Sequence, residues 1–139
     1  MEGVTAFTIS MKLSLNAPFP EDHISYQLLI HICEPIHVKI GALGMQHLAA
    51  GHYLYTGSAR RHLEARVRRH LRREKRLRWH IDYLLSHPRV VVVGVSTSAI
   101  EECRWNRSVE GEVVIPGFGA SDCRHRCGAH LLRVELPLG

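Results

Sequence analysis

Ten of the 18 Lys and Arg residues in this 139-residue chain fall in one run: Arg60, Arg61, Arg66, Arg68, Arg69, Arg72, Arg73, Lys75, Arg76 and Arg78. Only Glu64 and Glu74 oppose them there. A solvated helix face usually mixes signs, because opposite charges three or four residues apart attract. This run repels itself, and all but one of its cations are Arg, whose planar fork matches a phosphate. The chemistry implied is contact with a polyanion, DNA or RNA. Such contacts give affinity and salt dependence but no reading of base sequence. Arg60, Arg61, Arg68, Arg69, Arg72 and Arg73 are the candidate contacts.

A second group is soft. Cys123, Cys127 and His130 lie within eight residues, and Cys103 could complete a tetrahedral set of the kind that zinc prefers. The bland alternative is thiols that pack as small apolar groups.

Two residues of the basic run stand apart from it. At about 100° per residue, Leu63, Val67 and Leu71 form an apolar stripe about 80° wide. His70 falls about 20° and Arg66 about 60° beyond its Leu63 edge, whereas Arg68 and Arg72 point to the far side. A cation on the shoulder of a core face must find a partner or line a cleft.

Several elements must position these groups. The apolar run Tyr26 to Ile32 reads as a buried strand, and Ile36 to Ile40 as its partner across a Glu34-Pro35 turn. His52 to Thr56 is a further strand. Ala59 to Arg73 is the clearest helix, with Ser58 as its cap. A second helix covers Trp79 to Ser86 and stops before Pro88. Val90 to Val95 is β-branched and reads as a strand. Ser98 to Asn106 is a short helix capped by Ser98, residues 109–126 are Gly-rich and irregular, and residues 129–136 form a last strand. Residues 1–22, with Pro18 and Pro20, read as an extension or a loosely attached strand, and residues 23–139 as one domain. The expected fold class is α/β.

The formal charge is +5 and 45% of residues are apolar, which excludes global disorder. No apolar stretch approaches the length of a membrane span and no secretory signal is visible, so the expectation is a cytoplasmic protein with reduced thiols and no membrane partner.

The segment Tyr53, Tyr55, Gly57, Ser58, Ala59, followed by Arg66, His70 and Leu71, then Trp79-His80-Ile81-Asp82-Tyr83-Leu84-Leu85, is similar to the GIY-YIG nuclease superfamily. Within it, the chain resembles an uncharacterised family of small archaeal and bacterial proteins. The Glu102-Cys103 pair, the Phe118-Gly119-Ala120-Ser121-Asp122-Cys123 segment and His130-Leu131 extend the likeness over most of the chain. It departs at Ile24, where the first motif has Gly, and in the spacing of Cys123 and Cys127, which is wider than is usual there.

The resemblance implies a small, mainly antiparallel sheet flanked by helices. It implies a metal-dependent endonuclease whose catalytic residues are Tyr26, Tyr55, Arg66, His70 and Glu102. Glu102 would hold one Mg²⁺ or Mn²⁺, Arg66 would brace the phosphate, and Tyr55 or His70 would orient or deprotonate water. The alternative is a non-catalytic nucleic-acid-binding module on the same scaffold. His80 and Asp82 are expected to be structural or to position substrate.

Overall fold

The computed structural model describes residues 8–9, 19–72, 74–120 and 127–137. Arg73 and Cys123 therefore lie outside the described residues. The fold is mixed α/β, as expected, and its frame is an antiparallel sheet.

Strand β2 (Ser25–Ile32) is the run read as buried, and it sits near the middle of the sheet. It is flanked by β5 (Gly51–Ser58) and β6 (Val90–Ser98), with β1 (Thr8–Ile9) on the outer edge of β6. Beyond β5 come β8 (Leu131–Val134) and β7 (Glu112–Val113). Ile36 to Ile40 does not join this sheet. Both edges of β2 are already bonded, to β5 and to β6, so no ladder remains for a third strand. Instead β3 (Ile36–Lys39) pairs with β4 (Met45–Leu48) in a separate hairpin.

One sheet face carries Tyr26, Leu28, Ile30 and Ile32 of β2 and Tyr53 and Tyr55 of β5, all in the main core. Two helices supply the other side of that core: α1 (Leu63–Leu71) through Leu63 and Val67, and α2 (His80–Leu85) through Ile81, Leu84 and Leu85. The opposite face holds a smaller cluster of Leu29, Leu54, Leu132 and Val134. The alternation follows from the two-residue period of a strand. No helix among the described residues is long and apolar enough to cross a membrane.

Two helix starts differ from expectation. Helix α1 begins at Leu63 rather than Ala59, because the Ala59 amide donates to the Ile24 carbonyl and extends the sheet. Ser58 stays in β5, and His62, at φ 58°, makes the turn into the helix. Helix α3 (Glu102–Arg107) begins four residues later than read. Ser98 remains paired with Ser25 in β6, and the Glu101 carboxylate caps the helix by accepting the Cys103 and Arg104 amides.

The basic run is tied down by a carboxylate outside it. Asp82, fully buried, accepts from both Nη atoms of Arg69, at 2.8 and 3.0 Å, and from the Arg78 and Trp79 amides, at 2.8 Å each. This joins α1 to the start of α2. Lys75 donates to the Arg69 and His70 carbonyls and so covers the end of α1.

Arg69 and Arg68 are adjacent and should respond oppositely to mutation. Arg69→Met strands a buried carboxylate and is expected to cost about 3 kcal/mol or more. Arg68 pairs with Glu64 on the surface, so Arg68→Met should stay within about 0.5 kcal/mol. Urea midpoints of the two variants check this; similar losses would remove Asp82 as the link.

Candidate functional site

The register of β2 against β5 sets Tyr26 opposite Gly57. A Cβ at Gly57 would lie 2.5 Å from both Cζ and Oη of Tyr26, so the phenol can lie across that strand only because the residue is glycine. The Tyr26 hydroxyl then meets His70 Nε2 at 2.6 Å, and both residues are buried. Tyr55 completes the cluster: its ring lies 6.2 Å from Tyr26, 6.1 Å edge-on from His70 and 6.2 Å edge-on from Phe118. The helix stripe thus delivers His70 to the core face, as its shoulder position implied.

These three groups are uncharged at neutral pH. Burial, and then Tyr55, push the Tyr26 phenol well above its usual value, with Arg66 acting against them. Burial and then Glu102 push Tyr55 up as well. Burial drives His70 down to about 3, and Lys75 adds to the effect. The His70 Nδ1 atom has no hydrogen-bond partner among the described residues.

The two charged members meet at Ser58. Arg66 Nη1 donates to the Ser58 carbonyl at 2.9 Å, and the Ser58 hydroxyl donates to Glu102 Oε1 at 2.6 Å. Helix α3 packs against β5 and brings Glu102 to this strand end. Since Glu101 is the cap of α3, Glu102 is the carboxylate that faces the site. Its side chain is 23% exposed, and each oxygen keeps a lone pair beyond its one hydrogen bond, so it could hold a hard cation. The Arg66 guanidinium also lies over the Trp79 ring, 4.8 Å from its centroid, with Arg69 and Arg78 on the same indole.

Glu102 Oε2 accepts from His130 Nδ1 at 2.6 Å. His130 is pinned through its backbone, which accepts from the Thr56 amide and donates to the Phe118 carbonyl. On its other side, Nε2 lies 3.8 Å from Cys103 Sγ. Ligand atoms of Cys103, Cys127 and His130 lie within 4.8 Å of one another, a group that could hold a metal ion. Cys123, expected in the same set, lies outside the described residues.

All five residues named as catalytic from the sequence therefore gather around the end of β5 that carries Gly57 and Ser58. Of the basic residues, Arg60, Arg61, Arg68 and Arg72 are exposed, while Arg69 is engaged by Asp82. His80 accepts the Gly119 amide through Nδ1 and steadies the turn under Phe118. Two members were missed. Ser58 was read as a helix cap, and its place inside the Gly57-Ser58-Ala59 motif was the available signal. His130 is expected from the sequence as a zinc ligand and as part of the family resemblance, and no spacing shows its second bond, to Glu102.

Residues 25–137 match the family described as Domain of unknown function DUF123, and the chain belongs to that family. Neither the curated proteins nor the solved structures include a match.

The neutral His70 carries a pH signature. Its folded value, about 3, lies below the ordinary 6.5, so the unfolded chain binds a proton that the folded one rejects. The associated stability is complete above about pH 6.5 and is lost as pH falls toward about 3, amounting to about 2 kcal/mol by pH 5. In His70→Gln the urea midpoint should fall less between pH 7 and pH 5 than in the wild type. Parallel falls would contradict a buried, neutral His70.

Proposed function

We propose that this DUF123 protein is a metal-dependent nuclease of the GIY-YIG type, hydrolysing phosphodiester bonds in DNA or RNA. The observation that carries this reading is the convergence of Tyr26, Tyr55, Arg66, His70 and Glu102, spread over most of the sequence, at the end of one strand. A structural role explains a buried tyrosine pair. It does not explain an arginine and a carboxylate placed beside that pair by two sides of one serine.

Hydrolysis needs a positioned water, positive charge for the developing phosphorane and a place for the released proton. Arg66 is held by the Ser58 carbonyl and by Trp79, leaving the rest of its fork for phosphate oxygens. Glu102 would hold Mg²⁺ or Mn²⁺, which when bound supplies Lewis-acid stabilisation to the phosphate and the leaving oxygen. The Tyr26 and Tyr55 hydroxyls, uncharged, can orient the attacking water by hydrogen bonding. Its proton has an outlet in the short Tyr26–His70 contact: Tyr26 accepts from the water side and passes its own proton to Nε2. Burial disfavours the imidazolium at rest, and the negative charge of an arriving phosphate offsets that penalty.

The exposed Arg60 and Arg61 occupy the bend that follows Ala59, and Arg72 comes directly after α1. They would track the phosphate backbone toward the site, with Arg68 beside them. The soft trio Cys103, Cys127 and His130 suits zinc rather than a hard ion.

Cleavage of single- and double-stranded DNA and RNA with Mg²⁺ or Mn²⁺ tests the reading. Glu102→Gln should abolish metal-dependent cleavage and shift nucleic-acid affinity only a few-fold, while Arg66→Ala should lose roughly a hundredfold in rate. Replacing Arg60, Arg61 and Arg72 by Ala should flatten the slope of log affinity against log salt by up to about three. Tight binding without cleavage of any substrate would favour the non-catalytic module.

A further inference from the structure

Cys103 and His130 come from α3 and from the lead into β8, and Cys127 from the segment just before His130. Two stretches of backbone, α3 and residues 127–130, thus direct two thiols and an imidazole to one point. A tetrahedral zinc ion with Zn–S of about 2.3 Å and Zn–N of about 2.05 Å places sulfur and nitrogen about 3.6 Å apart. Cys103 Sγ and His130 Nε2 are 3.8 Å apart without an ion. Two thiolates also neutralise one divalent zinc, which suits a site where Cys103 and His130 are buried. The imidazole is already oriented as a ligand, since Nδ1–H donates to Glu102 and Nε2 is turned toward the Cys103 sulfur. A carboxylate bonded to the far nitrogen of a ligating histidine is the usual support of such sites.

We propose that Cys103, Cys127 and His130 hold a zinc ion, and that His130 ties this ion to Glu102, so that the thiolate site sets the position of the candidate catalytic carboxylate. The coupling rests on the reading of Glu102 as the hard-metal ligand; the zinc site does not. The chain Ser58–Glu102–His130–ion fixes both carboxylate oxygens, one from the strand and one from the soft metal. His130 is thus a positioning residue that touches neither substrate nor the hard ion. The same atoms also resemble a Cys–His–carboxylate nucleophile system. Two observations weigh against that reading: Cys103 is buried, and a second thiol shares its position.

The full chain, purified without added metal and without a histidine tag, should contain about one zinc per molecule by elemental analysis. Cobalt substitution should give the intense thiolate charge-transfer band and the visible bands of a tetrahedral ion. Cys127→Ser should lose the zinc. The link itself is read with His130→Cys, which keeps three soft ligands but cannot donate to Glu102. It should retain zinc yet weaken Mn²⁺ binding, followed by electron paramagnetic resonance, about tenfold. Reciprocally, Glu102→Gln should weaken zinc retention against a colorimetric chelator about tenfold. That arm needs neither cleavage nor Mn²⁺ binding, so it decides whether His130 links the zinc to Glu102 even if the nuclease reading fails. Zinc far below one per chain in the wild type would overturn the site, as would native alkylation of Cys103 at the rate of a free thiol. Zinc affinity unchanged in Glu102→Gln would overturn the coupling, as would unchanged Mn²⁺ affinity in a zinc-loaded His130→Cys.

Discussion

The register that places Tyr26 opposite Gly57 is the constraint on which the candidate site depends. A strand slipped by one residue would turn Tyr26 to the other face and bring a side chain under its ring. In the observed register the phenol crosses the glycine and reaches His70, so the sheet and α1 are joined by a polar contact inside an apolar layer. Because both edges of β2 are taken, the register is set twice, by β5 and by β6. The face and the strand position from which the hydroxyl reaches His70 are therefore determined by backbone pairing.

Charge in this protein is arranged by depth. In the candidate site Tyr26, Tyr55 and His70 are held neutral by desolvation, and the charged members stand at the rim, where Arg66 and Glu102 share Ser58. Further out, the exposed arginines of the bend and of α1 provide a positive approach. Asp82 keeps one of that series, Arg69, inward and thereby holds the two helices together. One basic stretch is divided by packing into a structural arginine, an arginine of the candidate site and surface arginines.

Much of this was legible in the residues. The apolar run of β2, the Trp79–Ser86 helix and the stripe of α1 follow from period and composition, and the helix geometry put Arg66 and His70 where they are found. The departure of β3 from the main sheet was not legible. Local pattern identifies a strand, but its partner depends on which edges other strands have already taken. The start of α3 was missed because Ser98 is a good cap by type, yet ladder bonds to Ser25 hold it in β6. Asp82 is expected from the sequence to be structural or to position substrate; that it would accept from Arg69, thirteen positions earlier, was a matter of tertiary approach. The joining role of Ser58 was hidden for the same reason, since its hydroxyl serves a residue forty-four positions away.

The placement of β2 has a consequence for how the chain reaches its fold. Its partners are the strand that ends at Ser58 and the strand that runs from Val90 to Ser98, so the most buried strand is made early and completed late. While the polypeptide emerges, β2 can meet β5 in a long-looped pair, but its second edge stays open until β6 is complete, 40 residues beyond Ser58 (98 − 58). Such non-local pairing slows folding, and an open hydrophobic edge invites association with other nascent chains. The self-repelling arginine segment is synthesised within that interval, and its like charge disfavours the close approach of two unfinished molecules while the edge is bare.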